Sequence, residues 1–314
     1  MNEQTRRSPL PGTLRERLRQ GHFVMTAELV PPLSCDAEEL LSKAAALKGL
    51  ADAVNVTDGA GARAHMSALA GASLIFQAGI EPILQMTCRD KNRLALQSEM
   101  MGAAALGIRN LLILSGDDPK SGDQPDTKAV FDVDSRTLIE TARRLRDDGT
   151  LPTGRNVSGK AGFFIGAADV PIDPPDGWQP NALAAKVNAG AQFAQTQFCM
   201  DAAIVRRYVA ALERAGITSK IALLIGVNPM RSAKSARWMQ HHLYGTIIPD
   251  GFISRLENAA DPAREGLRIC VELIEELSTI RGVAGVHIMA PGNDVAIAEV
   301  ISEARARVGK IPRP

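Results

Sequence analysis

A chain of 314 residues with 45% apolar content is a globular, soluble candidate, long enough to bury a sizeable core as one large α/β domain or two smaller ones. Its formal charge of +1 sets aside nucleic acid and anionic membrane surfaces as partners, and 4% aromatic content makes a stacked-base platform a poor fit, leaving small-molecule chemistry as the expectation. Cys35, Cys88, Cys199 and Cys270 lie far apart without a C-x-x-C pair, which argues against a disulfide framework or zinc ribbon and for reduced thiols in a cytoplasm.

Residues 1–20 are polar and charged and lack the apolar core of a secretory signal, so they are expected to form an N-terminal helical extension. From residue 21 to 314, short β-prone apolar runs alternate with segments of helical periodicity. The first run, 22–29, "HFVMTAEL", carries Glu28 inside apolar sequence; a carboxylate is costly there unless paired or protonated, and burial favours a general acid. A structural carboxylate satisfied by backbone amides is the alternative. The second run, 52–58, ends in Thr57 and Asp58 and opens "NVTDGAGARAH", in which Gly59, Gly61 and Ala64 match G-x-G-x-x-A. A Rossmann reading of this match needs an acid at the end of the next strand, about 20 residues on. The third run, 81–87, holds Gln85 and Thr87 and ends without one.

The fourth run, 109–115, leads into "SGDD", with Ser115, Gly116 and Asp117 on a glycine turn; the fifth is 161–167. The sixth, 191–198, ends in Gln195 and Gln197, the seventh, 220–227, precedes Asn228, and the eighth, 283–289, contains His287. His287, Trp178 and Trp238 read first as packing residues. Several helix candidates between the runs begin with Asp or Asn and end in Gly, the capping asymmetry of real helices. Eight strands each followed by a helix point to an α/β fold, a single-domain (β/α)8 TIM barrel over 21–314, with an open doubly wound sheet as the competing topology. Chemistry is then expected at the carboxyl ends of the strands, where the polar residues gather, with the Pro-rich stretches 117–130 and 169–180 as functional loops. The five histidines form no i, i+4 ligand pair, and no P-loop or nucleophile elbow occurs, so no metal, P-loop phosphoryl transfer or α/β-hydrolase chemistry is expected.

The motifs "AELVPP", "NVTDGAGARAH", "QMTCRDKNR", "LILSGDDP", "KVNAGAQFAQTQFCMD" and "GVHIM", in this order over almost the whole chain, resemble the methylenetetrahydrofolate reductase family in its short bacterial form, the catalytic barrel alone. The resemblance implies an oxidoreductase in which FAD takes hydride from NADH or NADPH and passes it to 5,10-methylenetetrahydrofolate, giving 5-methyltetrahydrofolate. It implies Glu28 as the general acid toward the folate nitrogen and Asp117 between flavin and pterin, both touching substrate. Gln197 would contact folate and nicotinamide in turn, and Asn293 would stand in a segment that normally supplies a folate-binding arginine. Thr57, Asp58 and Ala60 would meet the flavin and nicotinamide, joined at the cofactor by Gln85, Ser115, Gly116 and Phe131, with Lys186 near the FAD phosphates. Asp58 and Phe131 stand where the family has tyrosine, Gln85 where it has histidine, and Ser115 where it has arginine. A cytoplasmic homo-oligomer, dimer or tetramer, with no nucleic acid or membrane partner, completes the expectation. A flavin-free reductase with direct hydride transfer and a non-catalytic folate- or flavin-binding subunit are the competing functions.

Overall fold

A computed structural model of the protein describes residues 12–308; the expected extension over residues 1–20 therefore lies partly outside the described residues. Eight strands, β1 (Val24–Leu29), β2 (Ala53–Val56), β3 (Pro82–Thr87), β4 (Asn110–Leu114), β5 (Phe164–Asp169), β6 (Phe193–Phe198), β7 (Ala222–Val227) and β8 (Val283–Ile288), pair in parallel and in chain order. The sheet closes through β1 and β8, Val24 opposite Gly285 and Thr26 opposite His287. This is the (β/α)8 barrel; an open doubly wound sheet has two free edges, and this one has none. Each apolar run holds one strand, with ends that coincide or differ by at most three residues. The fifth departs most: it starts at Phe164, after Gly162 turns the chain at φ +43°, and runs on to Asp169 rather than stopping at 167.

The helices are α1 (Leu14–Arg19), α2 (Ala37–Ala45), α3 (Ala68–Gln77), α4 (Arg93–Ala105), α5 (Ser135–Asp147), α6 (Asn181–Ala189), α7 (Ala202–Arg214), α8 (Ala233–His242), α9 (Asp250–Asn258), α10 (Pro262–Leu277) and α11 (Asp294–Val308). Asp36, Asn92, Asp134, Asp201 and Asp261 accept backbone N–H groups at their N-termini, satisfying donors that the first turn leaves orphaned. None of the described helices is long and apolar enough to cross a membrane.

Side chains alternate across each strand, and that period of two sorts them between two cores. On β1, Met25, Ala27 and Leu29 pack outward in the large cluster shared with the helices. Val24 turns inward, where it joins Ala53, Ile83, Leu112, Phe164, Phe193 and Leu224 in a smaller cluster. Leu14 of α1 is fully buried in that same cluster, so the helix plugs the amino-terminal end of the barrel. One step further along the strands the interior turns polar. Thr26, Asn55, Gln85, Gln195 and His287 are all buried, and the next inward positions, Glu28, Thr57, Thr87 and Gln197, reach the carboxyl-terminal mouth.

Candidate active site

The mouth holds a cavity of about 730 Å³, a volume suited to a cofactor-sized ligand. Its wall brings together ten of the residues expected there: Glu28, Thr57, Asp58, Ala60, Gln85, Ser115, Gly116, Asp117, Lys186 and Gln197. Two others stand apart from that wall. Phe131 is 46% exposed, with φ at +40°, beside the Arg93–Asp132 ion pair, and Asn293 lies in the turn that leads into α11. In place of Asn293, its neighbour Asp294 comes within electrostatic reach of Glu28: burial and the Glu28 charge raise its carboxyl, against the pull of Lys43.

Glu28 keeps 17% side-chain exposure, and its Oε2 lies 3.8 Å from Nε2 of His287. His287 Nδ1 meets Thr26 Oγ1 at 3.0 Å, and Thr26 Oγ1 accepts from Gln195 Nε2 at 3.0 Å. Gln195 in turn exchanges two hydrogen bonds with Asn55, at 2.6 and 3.1 Å. A polar chain from β2, β6, β1 and β8 thus crosses the barrel interior and ends at His287, 3.8 Å from the Glu28 carboxylate. His287, read from the sequence as packing, is buried but lines the cavity and ends this chain. The paired register of Thr26 and His287 across the closing strands makes the contact, and no local sequence signal carries it.

The loop "NVTDGAGARAH" follows β2 and makes a short 3-10 turn at Ala60–Ala62. Helix α3 begins only at Ala68, so the glycines do not open a helix directly as the dinucleotide fingerprint requires. Asp117 Oδ2 accepts the Gly61 amide at 3.1 Å, which ties the fourth loop to the second. Asp58 Oδ2 accepts from Thr87 N at 2.9 Å, Thr87 Oγ1 at 3.1 Å and Lys91 Nζ at 3.0 Å. It therefore clamps β3 to the second loop while lining the cavity. Gln197 is also engaged, its Oε1 accepting the Phe198 amide at 3.0 Å and its Nε2 reaching the Tyr244 carbonyl at 3.4 Å.

Sequence reading passed over Arg89, Asp169 and Tyr208, all in the cavity wall. Arg89 is 3% exposed; it donates from Nε and Nη2 to Asp90 at 2.8 and 2.7 Å and from Nη2 to the Gly59 carbonyl at 3.1 Å. Gly59 and Gly116 make room for it. A Cβ on Gly59, at φ +61°, would fall 2.3 Å from Nη2, and one on Gly116, at φ +93°, 2.8 Å from Arg89 Cβ. Asp169 closes β5 and hydrogen-bonds Tyr208, with Trp178 tilted against the Tyr208 ring. Burial raises both groups, and for Asp169 the Tyr208 hydrogen bond and the Lys186 charge act in the opposite direction. An acid at the end of a strand was the available signal for Asp169; for Arg89 there was none. Trp238, expected in the core, is 54% exposed and stacks on His242 one helical turn away.

Two features of the wall fit a flavin nucleotide. Thr57 Oγ1 and Arg89 Nη1 are sealed from solvent without a hydrogen-bond partner among the described residues, polar atoms that a ligand settling against the wall can satisfy. Arg89 and Lys186 also bring positive charge to an otherwise acidic mouth, as a phosphate-bearing cofactor requires. The buried thiols are ill suited to redox work there: desolvation raises Cys88 to about 11 and Cys199 to about 12.

The family model for methylenetetrahydrofolate reductase matches residues 13–305. The probable methylenetetrahydrofolate reductase (NADPH) of Caenorhabditis elegans is 25% identical over 240 residues, covering 73% of this chain and 33% of its own, so the chain spans about a third of that relative's length. Among solved structures, an uncharacterized protein from Clostridium thermocellum, which binds two copies of 5-methyl-5,6,7,8-tetrahydrofolic acid, matches with a TM-score of 0.63 at 12% identity, over 95% of this chain and 100% of that one. EDTA monooxygenase (EmoA) from Chelativorans sp. BNC1 matches with a TM-score of 0.55 at 12% identity, over 93% and 95%. At such identities the structural likeness is one of fold. The family match, in contrast, runs through all eight strands and every loop at the mouth: the chain belongs to the methylenetetrahydrofolate reductase family.

Proposed function

We propose that the protein interconverts 5,10-methylenetetrahydrofolate and 5-methyltetrahydrofolate, using FAD as the hydride carrier and NADH or NADPH as its partner, in the cytoplasmic one-carbon metabolism that supports methionine synthesis. The observation that carries this reading is the meeting of Glu28, Asp117 and Gln197 in one cavity at the carboxyl end of the barrel.

FAD, when bound, supplies an acceptor and donor for hydride between nicotinamide and folate. Thr57, Ala60 and Gly116 would hold it at the second and fourth loops, with Arg89 and Lys186 as the cations for its phosphates. Glu28 would deliver the proton that the folate nitrogen needs for ring opening, with the polar chain through His287 ending 3.8 Å from its carboxyl. Asp117, anchored by the Gly61 amide, would bind the pterin edge through hydrogen bonds. Gln197 reaches a ligand by releasing its weaker contact, the 3.4 Å bond to Tyr244.

Glu28→Gln separates the two half-reactions. Flavin reduction by NADH or NADPH is expected to survive within about twofold, whereas folate turnover falls by about 100-fold or more, the scale of a lost general acid. Equal loss of both would refute the role of Glu28. A colourless protein that binds no added FAD and yet turns over folate would select direct hydride transfer; one that neither binds FAD nor turns over folate would refute the function.

A further inference from the structure

The opposite end of the barrel carries a second cavity, of about 520 Å³, between α1, the first residue of β5 and the loops that enter β1, β6, β7 and β8. Four cationic side chains line it, Arg15, Arg19, Lys220 and Arg281, and among the described residues its wall contains no carboxylate. Leu18, Phe164 and Ile221 supply apolar surface between them.

The nearby acids are committed elsewhere. Asp52 is fully buried and takes Arg17, Arg305 Nη2 at 2.8 Å and the Met25 amide at 2.6 Å. Glu81 accepts the Leu14 amide at 2.9 and 3.1 Å and Asn110 Nδ2 at 2.8 Å, which caps α1 and holds it in the barrel floor. Asp147 is gripped by Arg146 at 2.6 and 2.9 Å. Among the described residues, Arg281 alone of the four has an ion pair, at 3.6 Å with Glu213.

Arg15 and Arg19 sit one helical turn apart, a like-charge spacing that costs a helix a few tenths of a kcal/mol instead of stabilising it. The Arg15 guanidinium lies 5.9 Å over the Phe164 ring, and its Nε is sealed from solvent with no hydrogen-bond partner among the described residues. Burial, then Arg19 and Arg146, lower its pKa, against the pull of Asp147. Cations that outnumber the acids around a concave, partly apolar floor, with a sealed donor among them, are the arrangement an anion relieves.

We propose that this floor is a binding site for a small organic polyanion, a phosphate ester or polycarboxylate, whose charged groups bridge α1 to Lys220 and Arg281. The site is separate from the mouth, and its test does not depend on the folate reaction.

Pyrophosphate and citrate, titrated calorimetrically into the full chain at constant ionic strength, represent the two sources of the charge. At least one is expected to bind at one site per chain. Arg15→Gln with Arg19→Gln, and separately Lys220→Met with Arg281→Gln on the facing wall, are each expected to weaken that binding about tenfold or more. Lys186→Met, which removes a cation of the mouth, is expected to leave it unchanged. No saturable binding of either anion below about 10 mM, binding unaffected by both wall pairs, or binding abolished by Lys186→Met would each overturn the proposal. Two independent pairs keep the test decisive if one of them fails to fold.

Discussion

Replacing Thr57 by Val removes one oxygen at a place where the folded protein has no use for it until a ligand arrives. Thr57 is 3% exposed, its backbone N–H is held by the Leu29 carbonyl at 3.2 Å, and its Oγ1 is sealed without a partner. A buried hydroxyl in that state costs about 1–3 kcal/mol relative to solvent, and Val fills nearly the same volume with a methyl group. The ligand-free variant is therefore expected to be more stable than the parent by about 1 kcal/mol, a rise on the order of 2 °C for a domain of this size. FAD affinity is expected to move the other way, weakening by roughly 2- to 12-fold for one lost hydrogen bond of about 0.5–1.5 kcal/mol. Urea denaturation of the apoprotein measures the first quantity and flavin fluorescence quenching the second. Thr57→Ser, which keeps the hydroxyl, is expected to hold FAD within about twofold of the parent. A Val variant destabilised by about 1 kcal/mol or more would show that the hydroxyl already serves the fold. Unchanged FAD affinity would show that it does not serve the cofactor.

Asp58→Asn tests whether that carboxylate is mainly a clamp or mainly a ligand contact. Losing the charge that faces Lys91 and the Thr87 amide is expected to cost about 1.5–3 kcal/mol in urea denaturation; loss of FAD binding without loss of stability would refute the clamp. Asp169→Asn gives a pH signature. Burial raises the carboxyl, so the folded state holds its proton more tightly than the unfolded chain, and the contribution of Asp169 to stability declines as pH rises from the ordinary carboxylate range through the raised value. The stability of the variant relative to the parent is therefore expected to increase with pH over that interval and then level off. A difference that is flat or falls with pH would refute the assignment.

Legibility of this chain in its sequence followed the range of the forces involved. Each apolar run held a strand because a strand buried on both faces reads as a short β-branched block, and Asp and Asn marked helix starts because they cap locally. Glu28, Thr57, Gln195 and Gln197 stood out as polar residues breaking those blocks at inward positions. Trp238 was misplaced because an aromatic residue at helical spacing has no local mark that distinguishes a buried face from an exposed one. Arg89 escaped notice for a related reason: its burial depends on two glycines, 59 and 116, that lie 30 residues before it and 27 after it.

From the sequence alone come the alternation of strand and helix, the end of each strand that bears polar groups, and the family motifs that name the expected residues. These follow from periodicities of two and 3.6 residues and from turn chemistry, all short-ranged along the chain. Barrel closure decided the rest. Pairing β1 with β8 brings His287 to Glu28 across 259 residues of chain, seats Leu14 in the floor, and gathers Arg15, Arg19, Lys220 and Arg281 around one cavity. Contacts between residues so distant in sequence depend on which strands are neighbours in space, and only the closed sheet specifies that.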